Sequence, residues 1–403
     1  MAAPAPEDSI AAAARRPTAS ADSRLLLCIA IGQTIGWGTL FATFALFGAP
    51  MEAELGWSRA AINAGLTLAM LVSGFAAVPI GRHVDLHGGR RVLAWGAWLG
   101  AALLAAWSLT GSLATYWAIW AGMGLAQAAA LWGPAMAVVV TSARDPGRTI
   151  TGITFVTGFT GTIFVPLGAA LIEGLGWRHA LLVLAALQVV PGLLALWLLP
   201  QPPPRPATAP RGGFSLRAAV RRPAFLGLAG CFAAHAFIGI GLGAHAIPLL
   251  RERGLPEASV LLIVALHGPF QVAARLALFA LGRRVTMRGV GLLATLLTPF
   301  GMLVLALAPP EIAWLVLYAL CWAVADGLMT IVRAAGVAEI LGREGYGAIT
   351  GALSVATVVP RTAAPVLIAL IWEGAGGYGP VPWLLVALAC LGAASFAAAA
   401  RAR

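Results

Sequence analysis

The sequence predicts an all-α membrane protein with twelve transmembrane helices in two six-helix bundles, and three observations predict it. Of 403 residues, 60% are hydrophobic and only 10% are charged, against roughly 25% charge in a soluble domain. So little charge cannot cover a water-facing surface. The apolar residues fall in blocks of about 20 to 25, each able at 1.5 Å per residue to cross a hydrocarbon core about 30 Å thick. Six such blocks precede and six follow the stretch "PQPPPRPATAPRGGFSLRAAVRR", whose prolines and arginines cannot insert and which reads as an extended linker.

In chain order, residues 1–23 are rich in Ala, Pro and Ser and carry Arg15 and Arg16. No short apolar core with a small-residue cleavage site follows directly, so this segment is expected to be a disordered cytoplasmic tail, and the first helix an uncleaved anchor. The expected spans of the first half are Arg24 to Gly48, Ala60 to Ile80, Val92 to Thr110, Leu113 to Val140, Ile150 to Ile172 and His179 to Leu199. Those of the second half are Ala224 to Ile247, Ala258 to Leu281, Val290 to Ala308, Ile312 to Val337, Ala348 to Trp372 and Pro382 to Ala400. The organisation is thus an N-terminal six-helix bundle over 24–199, a cytoplasmic linker over 200–222 and a C-terminal six-helix bundle over 223–403.

Charge gives the orientation. All 26 basic residues are arginine and the formal net charge is +11, which on one soluble face would imply nucleic acid. Here the arginines lie between apolar blocks instead. With both termini in the cytoplasm, nineteen arginines fall in inside segments and only Arg59, Arg178, Arg251 and Arg253 in outside loops, which carry Glu52, Glu54, Glu173, Glu252, Glu257, Glu311 and Glu373. Short basic loops stay cytoplasmic. The chain therefore reads as a multi-pass protein of a bacterial-type inner (plasma) membrane, with both ends inside and no nucleic-acid partner. Cys28, Cys231, Cys321 and Cys390 sit inside apolar blocks without a CxxC pair, against disulfide and metal roles. No nucleotide-binding loop or catalytic triad in a soluble domain is visible. Neither a cofactor nor an enzymatic activity is expected.

One loop carries a motif. Between the second and third helices runs "GRHVDLHGGRRVL", Gly81 to Leu93. Glycines permit a tight turn and close helix approach, and an interfacial Asp can accept hydrogen bonds from a helix N-terminus and from arginines. The loop resembles the signature cytoplasmic loop of the major facilitator superfamily, matching at Gly81, Asp85, Gly88, Arg90 and Arg91, with Leu86 replacing the usual basic residue. The resemblance implies a latch on the cytoplasmic side. It also implies two halves, each nested from three-helix repeats, that bind a solute between them near the midplane and rock about it. The corresponding loop of the second half, "GRRVTMRGV", has Gly282, Arg283, Arg284 and Arg288 but no carboxylate. The fifth helix, "TGFTGTIFVPLGAAL", with Gly158, Gly161, Pro166 and Gly168, is similar to the Gly/Pro-rich fifth helix of the superfamily; it reads equally as a close-packing surface.

Ionisable residues inside the membrane cost roughly 2.5 to 3.5 kcal/mol each on insertion scales and so mark function. Here they are Arg275 in the eighth helix, Asp326 in the tenth and Arg361 in the eleventh, with Arg333 nearer the cytoplasmic end and read as interfacial. Two arginines against one aspartate leave positive charge that an anionic substrate would balance through guanidinium forks. The segment "HGPFQVAARLAL" resembles the eighth helix of monocarboxylate porters, with Arg275 matching and Gln271 where that group has Asp. Arg361 occupies a place like the basic residue of oxalate/formate exchangers, and "ELGWSRAAI", Glu54 to Ile62, is similar to bacterial relatives of that group.

The resulting expectation is a monomeric secondary transporter of a small organic anion, monocarboxylate-like, working by alternating access with a proton or an exchanged anion as co-substrate. Arg275, Arg361, Gln271 and His267 are its expected substrate contacts, and Gln33, Thr34 and Trp37 of the first helix its expected lining. Asp326 is the coupling residue or charge pair, Arg275 standing either as substrate contact or as its salt-bridge partner. Gln271 cannot carry a proton, so proton coupling would fall to Asp326 or to His235, His245 or His267. His267, eight residues before Arg275, lies close to the same helical face. The alternative is an efflux transporter for drugs, metalloids or other toxic compounds. A lipophilic-cation exporter would carry buried carboxylates, and only Asp326 qualifies.

Overall fold

The computed structural model describes residues 19–200 and 216–402; residues 1–18 of the expected tail and most of the expected linker lie outside the described residues. Among the described residues, ten helical segments are long and apolar enough to cross a membrane. One of them, Pro146–Leu198, has 53 residues and would span about 80 Å if straight. It is divided at Gly176, whose φ of 77° lies in the left-handed region open to glycine, and so makes two spans. The 20-residue helix Gly89–Ser108 completes the twelve.

The first bundle contains α1 (Asp22–Leu55), α2 (Arg59–His87), α3 (Gly89–Ser108), α4 (Leu113–Ser142), α5 (146–175) and α6 (177–198). The second contains α7 (Pro223–Glu252), α8 (Ala258–Leu281), α9 (Met287–Leu307), α10 (Ile312–Leu341), α11 (Tyr346–Ala375) and α12 (Val381–Arg401). The helix that includes α1 begins at Ala19, inside the expected tail, and Leu216–Ala219 is helical, inside the expected linker. Local chemistry sets the starts. Side-chain oxygens of Ser58, Ser112, Asp145 and Thr286 accept hydrogen bonds from Ala61, Thr115, Arg148 and Gly289 N–H groups at 3.1–3.3 Å, satisfying donors that a helix start leaves orphaned.

The "ELGWSRAAI" segment proves to be a corner. Gly56 ends α1, Ser58 caps α2, and Glu54 accepts from Trp177 Nε1 at 2.5 Å and Arg178 Nε at 2.9 Å, tying α1 to the start of α6.

An even number of spans places the described ends, Ala19 and Ala402, on one side, here called the terminus side. The two bundles pack together there. Gly81 of α2 lies so close to α11 that a Cβ would sit 2.0 Å from the Gly347 carbonyl oxygen, and one on Gly351 would sit 2.4 Å from that of Ala77. The apolar core divides accordingly. One cluster, including Ile153, Leu278, Tyr346 and Leu353, joins both bundles on the terminus side. On the far side the core splits in two, around Phe47, Trp107 and Leu184 in the first bundle and around Ile238, Tyr318 and Leu385 in the second. The bundles meet at one end and part at the other.

Candidate functional site

Between the parted bundles lies a cavity of about 910 Å³, reaching from Gly81 and Gly347 on the terminus side to Leu250 and Ile263 near the far ends of α7 and α8. Its walls are made from interrupted helices. α1 passes through a π-helical turn at Gly38–Ala42, and α4 breaks at Leu131 (φ −91°, ψ −150°) just before Trp132-Gly133-Pro134. Interruptions in lipid require new partners for the freed backbone groups. Gln127 Nε2 donates to the Leu40 carbonyl and Gln33 Nε2 to that of Ala130, each at 2.9 Å.

The structure thus separates the first-helix residues expected to line the cavity. Trp37 lines it, with Phe41 one turn on and their rings 5.4 Å apart. Gln33, 3% exposed, is turned toward the break in α4, and the Thr34 hydroxyl donates to Ala30 O at 2.8 Å; neither belongs to the lining. Gln127, which sequence reasoning missed, does. The break at "WGP" was its available signal, since a disrupted helix near the midplane needs a donor nearby.

The opposite wall carries the charge. Asp326 of α10 accepts from His235 Nε2 of α7 at 2.8 Å, from His267 Nε2 of α8 at 3.3 Å and from Gln271 Nε2 at 2.5 Å. An acceptor-only carboxylate fixes the tautomers: each imidazole places its Nε2–H on Asp326. Gln271 and His267 therefore reach the carboxylate of Asp326, and Arg275 does not. Arg275, 7% exposed, extends Nη1 to the Thr154 carbonyl of α5 at 3.4 Å and Nη2 to Thr330 Oγ1 at 3.2 Å, while its buried Nε has no partner. It lines the cavity and also bridges the two bundles.

Arg333 corrects the expectation of an interfacial side chain. The π-helical turn Val332–Gly336 carries it into the lining, its guanidinium carbon 5.5 Å from the Phe232 ring centroid. A π-turn inserts one residue into the helical repeat and re-aims the side chains beyond it. Arg361 comes directly after Pro360 in α11 and lines the same cavity, and among the described residues its guanidinium has neither a hydrogen bond nor an ion pair. His245 lies outside the lining, bonded to the Tyr378 hydroxyl at 2.8 Å and the Pro365 carbonyl at 2.9 Å.

At the closed end, the carboxylate oxygens of Asp85 accept from the Gly347 and Ala348 N–H groups, both at 2.8 Å. A negative charge thus sits on the N-terminus of α11, where the helix dipole and unpaired N–H groups favour it. Gly88, with φ of 82°, forms the junction between α2 and α3. Arg90 donates to the Leu196 carbonyl of α6, and Arg91 is exposed. In the second bundle Glu339 instead holds the N–H groups of Met287 and Arg288 at the start of α9, so the two bundles are not latched alike.

A model of the Major Facilitator Superfamily matches residues 26–365. The chain belongs to this superfamily. Its members are secondary transporters that work by alternating access and not enzymes, and the facilitator described here has the two-bundle fold to match. No curated protein matches it by sequence. Among solved structures, the human organic anion transporter MFSD10 is similar with a TM-score of 0.67 at 18% identity, covering 95% of this chain and 100% of that one. The proton:xylose symporter XylE reaches 0.71 at 14% identity, over 94% and 95% of the respective chains. The E. coli fucose:proton symporter FucP reaches 0.67 at 16%, over 94% and 97%. At these identities the likeness establishes the shared fold.

Proposed function

We propose that this facilitator carries a small organic anion, monocarboxylate-like in its charged group, through the central cavity. The observation that carries the reading is Arg361: a guanidinium on the cavity wall with no ion-pair partner among the described residues. Arg333 lines the same cavity, and Arg275 adds a third. Against them stands, among the described lining residues, one carboxylate, Asp326, already holding three donors. Desolvated positive charge that lacks a partner is costly, and a carboxylate in the cavity would supply the missing one through bidentate contacts. A lipophilic cation would find no free carboxylate among the described lining residues, which weighs against export of such compounds.

With both termini placed in the cytoplasm by the arginine distribution, the closed end is cytoplasmic and the cavity faces outward. The Asp326 cluster then offers a place for a co-transported proton, in a position that Gln271 cannot fill. Counterflow in proteoliposomes tests the reading. Vesicles preloaded with benzoate or pyruvate should take up the labelled acid saturably, while tetraphenylphosphonium neither drives nor competes. Counterflow of the cation without the acids would refute it.

A further inference from the structure

The walls of the cavity differ in kind. Every ionisable side chain in the described lining, including His235, His267, Arg333 and Arg361, comes from the second bundle; the first bundle contributes none. Its contribution is uncharged: besides the Gln127 amide and the hydroxyls of Ser73 and Thr157, it presents a large apolar surface, with Trp37 and Phe41 of α1, Met70 of α2 and Trp132 of α4. Trp37 and Trp132 are only half-buried, so these surfaces face the open space. The π-turn in α1 and the break in α4 lie beside these residues, and the glutamines that repair both interruptions make the arrangement a built one.

A two- or three-carbon acid would fill only a small part of such a room. The cavity of about 910 Å³ has the volume of roughly thirty waters, and it sits in the upper part of the range of about 300–1,000 Å³ found for pockets that hold drug-sized ligands. A compact acid held at Arg361 would leave the tryptophan wall facing water. A ligand with an aryl or branched apolar body would cover it.

We infer that the transported anion is amphipathic, an aryl- or alkyl-substituted carboxylate whose charged head meets the guanidiniums of the second bundle and whose apolar body lies against Trp37, Phe41 and Trp132 of the first. The inference rests on the anion reading and adds the substrate's second half.

Pyruvate and phenylpyruvate share a head group and differ by one ring, and so form the test pair. On the purified full-length protein, isothermal titration should find phenylpyruvate binding about ten- to a hundredfold tighter than pyruvate, the gain expected from burying a phenyl ring. In Trp37→Ala the ratio of the two affinities should fall toward one, and a second variant, Trp132→Ala, guards against failure of the first to fold. Equal affinities in the wild type, or a ratio that both variants leave untouched, would overturn the inference while leaving the anion reading in place. Binding of neither acid, with the protein monodisperse and folded, would remove both.

Discussion

His235 Nε2 and Asp326 Oδ1 lie 2.8 Å apart, joining α7 to α10 at the wall of the cavity. With His267 and Gln271 on its other oxygen, Asp326 holds three side-chain donors, and no arginine lies within ion-pair distance of it among the described residues. The guanidiniums of Arg333 and Arg361 are thereby left to a guest, while Arg275 holds Thr154 and Thr330.

The first prediction concerns coupling. Removing the charge with Asp326→Asn takes away the anchor of both imidazoles, so accumulation of benzoate driven by an inward proton gradient should fall by tenfold or more, and exchange across equal pH by much less. Flux measurements in proteoliposomes with and without the gradient distinguish the two. Accumulation at the wild-type level would take the proton away from this cluster.

The latch gives the second. Asp85 makes two charge-assisted bonds to the start of α11, and such bonds contribute about 1.5–3 kcal/mol. Asp85→Ala should therefore favour separation of the bundles on the terminus side by on the order of 2 kcal/mol, roughly thirtyfold in population. Spin labels at the exposed positions of His87 and Arg343 would report a longer distance component. An unchanged distribution would mean that packing along α2 and α11 closes this end without help from the carboxylate.

A third prediction concerns the interrupted helices. Gln127→Leu removes the side-chain donor to the buried Leu40 carbonyl in the π-turn, at a cost of about 1–3 kcal/mol. Thermal unfolding in detergent should shift downward, and more than for Gln33→Leu, because Gln33 already has one buried oxygen without a partner. Equal or absent shifts would show that the break and the π-turn are held by packing.

The range of the forces involved decides how far the sequence could be read. Lipid demands long apolar blocks, and these stand out locally, so twelve spans were visible. The loop from Gly81 to Leu93 was visible because its residues are contiguous. Partners distant in sequence were not: His235 and Asp326 are 91 residues apart and have no common periodicity. Face assignments failed where the helix left its 3.6-residue repeat. The π-turn after Trp37 and the broken α4 gave Gln33 a backbone partner in place of the cavity, and the π-turn at Val332–Gly336 brought Arg333 into it. Arg275 lies in the lining, and its contact with Thr154 across the bundles gives it a structural share that residue type alone could not reveal.

The central claim is that unbalanced guanidinium charge in the cavity awaits an anion, and thermal stabilisation by ligand measures it directly. A ligand that binds only the folded state stabilises it by about 2.7 kcal/mol at a hundred times its Kd. Benzoate or phenylpyruvate should raise the unfolding temperature of the wild type in a concentration-dependent manner, hydrophobic cations should not, and Arg361→Gln should abolish the effect without lowering the unliganded midpoint. Stabilisation by cations alone, or anion stabilisation that persists in Arg361→Gln, would contradict the account.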